Sequence, residues 1–73
     1  MRSLLSLKYN EMSIIQEIKG SEELKTMLLE LGIRKNTKIT LKNKAPFGGP
    51  VLFSTESQDL ALDLEVANKI EVE

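Results

Sequence analysis

From Thr37 to Lys44 apolar and polar residues alternate. Ile39 and Leu41 fall on one side of an extended chain, and Lys38, Thr40, Lys42 and Lys44 on the other. A period of two marks a strand with one buried and one wet face, so a strand with a basic outer face is expected here. Upstream the period lengthens. Leu24, Met27, Leu28 and Leu31 recur at i, i+3, i+4 and i+7, the spacing of one buried helix face. Ser21 stands before them as an N-cap residue, and Glu22 and Glu23 follow where the helix dipole favours negative charge. Gly32 supplies a left-handed C-terminal cap, with Ile33 behind it as an apolar clasp. A helix is predicted over about residues 22–31, with Leu29 off the buried stripe.

The remaining segments are short. Leu4, Leu5 and Leu7 form an apolar start, and Lys8–Glu11 reads as a turn in which Asn10 accepts the left-handed conformation. Ser13–Lys19 is isoleucine-rich, bounded by Gly20, and reads as a strand. Arg34-Lys35-Asn36 makes another turn. Val51 and Phe53 alternate with Leu52 and Ser54; Ser57-Gln58 suits a hairpin turn; Leu60 and Leu62 mark a further strand. Asp63 is expected to cap a helical turn at residues 64–67, and Ile70 and Val72 to face inward on a closing strand. About five or six short strands with one early helix predict a mainly β fold, a small closed β-barrel in a single domain over residues 1–73.

Composition narrows the chemistry. A chain of 73 residues buries only about 60% of its unfolded surface. It has no Cys and no His, which removes disulfides, thiolate chemistry and the usual zinc sites. The core must be aliphatic, which 41% hydrophobic residues allow. No apolar run approaches the about 20 residues of a membrane span. Met1–Leu5 is followed at once by polar residues and lacks a signal-peptide core, so a soluble cytoplasmic protein is expected.

Net charge is −1, yet it is unevenly spread. Residues 31–55 hold Arg34, Lys35, Lys38, Lys42 and Lys44 and no acid, whereas residues 56–73 set Lys69 against Glu56, Asp59, Asp63, Glu65, Glu71 and Glu73. Two readings compete. The blocks lie close together and neutralise each other, or the basic one is a face for an acidic or phosphorylated partner.

The loop K-A-P-F-G-G-P-V, Lys44–Val51, invites a phosphate reading and fails it. A phosphate-binding loop needs a lysine and a hydroxyl at the start of a helix; here the glycines are adjacent and a strand follows. Pro46 fixes φ, Gly48 and Gly49 allow positive φ, and Pro50 pre-sets entry to the next strand. Phe47 is the unusual member: it either folds back over the end of the barrel or projects as an anchor for a partner. No nucleophile–base pair and no calcium-loop spacing occur, so no catalytic residue, metal site or cofactor is expected. Arg34 is an ordinary turn arginine, or an arginine finger acting on another protein's nucleotide. A nucleic-acid-binding small barrel is the alternative class. A pI of about 5.5, with Tyr9, Phe47 and Phe53 the aromatics, argues against it.

Taken in order, several stretches resemble the FeoA family, ferrous iron transport protein A. They are the strand S-I-I-Q-E-I, the helix end L-L-E-L-G-I, the basic T-K-I-T-L-K-N-K, the loop A-P-F-G-G-P-V and the ending L-A-L-D-L-E-V-A-N-K-I-E-V. The resemblance covers about Leu4 to Val72. It implies an SH3-like barrel and a small accessory or regulatory protein, not an enzyme, that binds the cytosolic part of the ferrous iron transporter FeoB. It would meet the membrane only through that transporter, and a homo-oligomer is a further expectation from open sheet edges. The same module resembles the SH3-like domain of iron- and manganese-dependent repressors, so a stand-alone relative of that domain is another alternative. Asn10 and Lys35-Asn36 stand where the family often has Gly and Pro-Gly, and Gly49 where an acidic or polar residue is common. Surface residues offered to a protein partner are Leu29, Arg34, Lys42, Lys44, Phe47 and Leu52.

Overall fold

The computed structural model describes residues 1–73. In chain order it runs β1 (Arg2–Ser3), a 3-10 turn (Leu4–Ser6), β2 (Met12–Ile18), α1 (Glu22–Glu30) and β3 (Lys38–Lys44). Then come β4 (Val51–Ser54), β5 (Asp59–Leu62), α2 (Leu64–Ala67) and β6 (Ile70–Val72). All neighbouring strands are antiparallel, in the order β1-β6-β2-β3-β4-β5.

β2 bends the sheet around its core. Its first half pairs with β3, placing Ser13 opposite Ile39 and Ile14 opposite Lys38. Its second half pairs with β6, placing Ile15 opposite Val72 and Ile18 opposite Ile70, with a bulge between Ile15 and Glu17. Bulges re-aim a strand and increase its twist. Ile15, Ile39, Leu41, Phe53, Ile70 and Val72 thereby converge with Leu4 and Leu28, all fully buried.

The expected closed barrel is instead an open sheet of six strands, with no ladder joining β5 to β1. The cause is local. β1 lasts two residues before Leu4–Ser6 coils into the 3-10 turn, whose N-terminus the Ser3 hydroxyl caps by accepting from the Leu5 N–H. The chain leaves the extended form too early to run along β5.

The helix ends as its sequence demands. The Ser21 hydroxyl accepts from the Leu24 N–H at 3.1 Å. At the far end Gly32 sits at φ 83°, its N–H donating to the Leu29 carbonyl and that of Ile33 to the Leu28 carbonyl. This paired arrangement satisfies two carbonyls that the helix leaves open. The buried face is narrower than the spacing predicts. Leu28 is fully buried, Leu24 and Leu31 only partly, and Met27 is 43% exposed. The short helix reaches the core mainly through Leu28.

Asn10 and Asn36 both take positive φ, 65° and 72°, as their turns require. Asp63 occupies the N-cap position of α2, but its side chain makes no capping bond. Before β2, Glu11 accepts from the Lys8 N–H at 2.8 Å and from the Arg2 guanidinium at 2.6 Å. These two bonds hold its carboxyl below the ordinary range, the Lys8 backbone contributing most.

Candidate protein-interaction surface

β3 and β4 are joined by Ala45–Pro50. The Ala45 N–H donates to the Pro50 carbonyl at 3.0 Å, and that of Gly49 to the Pro46 carbonyl at 3.2 Å. Within this inner turn the two central residues, Phe47 and Gly48, have φ of 59° and 75°. Positive φ at both centres is the pattern of the hairpin turn that matches strand twist, a turn normally built from Asn-Gly. Sequence alone suggests Gly48 and Gly49 for positive φ; Phe47 and Gly48 take it instead. Its exposure is 104%, as open as in an extended chain. The ring therefore does not cover the protein's own core.

β3 carries a second irregularity. Leu41 pairs with Phe53, but Asn43 pairs with Leu52, so Lys42 is the extra residue of a bulge. Beyond it the alternation inverts. Lys44 lies opposite the buried Val51, on the core side of the sheet, and its ammonium donates to the Leu5 carbonyl at 3.3 Å. The basic outer face expected of Lys38, Thr40, Lys42 and Lys44 thus loses Lys44, which lines a cavity with Leu7, Lys8, Tyr9 and Leu41. Leu52 remains outward, 37% exposed, beside Asn43.

The two charge blocks do not neutralise each other through ion pairs. The three pairs in the molecule are Arg2–Glu11, Lys19–Glu71 and Lys25–Glu22. None involves Arg34, Lys35, Lys38, Lys42 or Lys44. Of the acidic block, only Glu71 is paired, with a cation from outside the basic block.

The candidate residues therefore fall into groups. Phe47 stands alone at the turn, Lys42 and Leu52 share the outer face of β3 and β4, and Lys44 has moved to the core-side rim. Leu29, 51% exposed, shares a groove with Arg34. That groove also contains Lys35 of the basic block, together with Ile18 and Lys25, which sequence reasoning did not single out. Lys25 stands four residues before Leu29 on the helix, a spacing that puts both on one side. No three His, Cys, Asp or Glu side chains come together in a group able to hold a metal ion.

A family model described as the FeoA domain matches residues 2–73. The chain belongs to the FeoA family. Solved structures share the fold. The crystal structure of an iron uptake regulatory protein, FeoA, is 20% identical with a TM-score of 0.87, over 97% of this chain and 93% of that one. The solution structure of iron(II) transport protein A from Clostridium thermocellum is 27% identical with a TM-score of 0.89, over 97% of this chain and 44% of that one. A manganese-dependent transcriptional repressor is 17% identical with a TM-score of 0.88, over 97% of this chain and 40% of that one. This chain thus spans less than half the length of the last two. The FeoA architecture is mainly β and SH3-like, shared between FeoA proteins and part of such repressors. Among curated protein sequences none matches. No helix here is long and apolar enough to cross a membrane.

Proposed function

We propose that this FeoA protein is a non-catalytic accessory of ferrous iron uptake that binds the cytosolic part of a FeoB-like transporter, with the Phe47 turn as its anchor. The observation that carries the choice of anchor is Phe47 itself: a fully exposed aromatic ring held at φ 59°. A side chain in that conformation is disfavoured by about 1–2 kcal/mol, and folding returns nothing for it because the ring touches no core. Strain of this kind concentrates where a residue serves a contact outside its own fold. Buried aromatic anchors are the usual hot spots of protein interfaces. Lys42 and Lys38, unpaired and outward on β3, speed approach to an acidic partner.

The test is capture of this protein by the isolated cytosolic domain of FeoB, comparing wild type with Phe47→Ala and Lys42→Glu. Binding by wild type and loss in Phe47→Ala supports both partner and anchor. Binding unchanged in both variants removes the site, and no binding by wild type removes the partner. Iron uptake in cells that retain the transporter but lack this protein then gives the direction of the effect.

A further inference from the structure

A groove of about 280 Å³ runs between the end of β2 and the last turn of α1. Its floor is Ile18, Leu29 and Ile33, and its rim carries Lys25, Arg34 and Lys35. Leu29 is 51% exposed, whereas the neighbouring Leu28 is fully buried. Arg34 and Lys35 have no carboxylate within 4.0 Å. Lys25 reaches only Glu22, at 3.9 Å, through a carboxylate that is 92% exposed. Glu17 is the single acid on the rim.

The volume lies just below the about 300–1,000 Å³ of small-molecule sites, so the groove suits one large side chain. An apolar floor inside a rim where Arg34 and Lys35 are uncompensated is complementary to an apolar side chain flanked by carboxylates. Burial of the aliphatic surface and pairing of the charges then act together. A basic segment loses the second contribution, and a free phosphate the first. The cavity lined by Leu7, Lys8, Tyr9, Leu41 and Lys44 is also apolar and basic, but its Lys44 ammonium already donates to the Leu5 carbonyl at 3.3 Å. The largest cavity, about 390 Å³, has Ile14 as its one apolar residue and includes Glu56.

We infer that this groove docks an acidic peptide segment of a partner protein. One Leu, Ile or Phe of the segment rests on Leu29 and Ile18, and its flanking Asp or Glu side chains pair with Lys25, Arg34 and Lys35. The groove shares no residue with the Phe47 turn, and the inference holds whichever partner presents the segment.

The probe is a capped synthetic hexapeptide, Glu-Asp-Leu-Phe-Glu-Asp, titrated into the isotope-labelled protein while amide chemical shifts are followed. Its counterpart, with every acid replaced by Lys, is titrated in parallel. Saturable shifts at Ile18, Leu29, Arg34 and Lys35 are expected with the acidic peptide alone, weakening several-fold as salt rises and the Debye length shortens. Leu29→Ser should weaken binding at least about fivefold, and the double variant Arg34→Glu, Lys35→Glu at least about tenfold, both with the dispersed spectrum of a folded protein. Absence of shifts at the groove, an equal response to both peptides, or shifts confined to another surface would overturn the assignment.

Discussion

Phe47 and Gly48 hold adjacent left-handed conformations at φ 59° and 75°, closed by the Gly49 N–H on the Pro46 carbonyl at 3.2 Å. Glycine adopts this conformation freely, and phenylalanine does not. Asparagine is the better residue for the first central position of such a turn. Phe47→Asn is therefore expected to raise stability by about 0.5–1 kcal/mol, read from the midpoint of urea unfolding. A clear loss of stability would show that the ring supports the fold after all.

The same position separates binding from folding. Phe47→Ala should weaken capture by a FeoB-like cytosolic domain by tenfold or more, about 1.4 kcal/mol, with the fold intact. Lys42→Glu should act differently, lowering the association rate and its salt dependence while leaving dissociation nearly unchanged. Stopped-flow or surface-based kinetics distinguishes the two. A variant pair that alters only dissociation would remove electrostatic approach from the account.

On α1 the two neighbours Met27 and Leu28 should respond very differently to truncation. Leu28→Ala opens a cavity in the fully buried core and should cost about 2–5 kcal/mol. Met27→Ala, at a 43% exposed position, should change stability by about 0.5 kcal/mol or less. Equal losses in chemical denaturation would restore the broader buried face that the helical spacing suggests.

Arg2 and Glu11 give a pH dependence. The folded carboxyl is held below its ordinary value of 4.5, first by the Lys8 N–H and then by Arg2, so Glu11 favours the folded state when ionised. Its contribution is fully present above the unfolded value and is lost as pH falls through the lower folded one. Glu11→Gln should thus be less stable than wild type above pH 4.5, with the gap closing as the solution is acidified further. A gap that stays constant across that range would show that the carboxyl's charge contributes nothing.

Sequence reasoning recovers local features and misses those decided between strands. Ser21, Gly32, Asn10 and Asn36 announce their positions because each residue type removes a specific backbone penalty there. Family resemblance and periodicity together give the SH3-like fold. Four features were not readable. The bulge at Lys42 follows from how β3 must meet β4, and no residue type marks it, so strict alternation puts Lys44 on the wrong face. The open sheet follows from the two-residue length of β1. The conformation of Phe47 contradicts its own propensity. Lys25 and Leu29 are close on the helix, but the groove also needs Ile18 from β2 and Lys35 from the turn, which only the assembled fold brings together.

The position of β6 has a consequence for how the molecule forms. Ile70–Val72 lie between β1 and β2, with Val72 facing both Arg2 and Ile15. Contacts across most of the chain's length must therefore form before the sheet is continuous. Such non-local topology slows folding toward the millisecond-to-second range, roughly, for a domain of this size. Until β6 arrives, β1 has no strand beside it, and β2 is held in the sheet only through its first half, on β3.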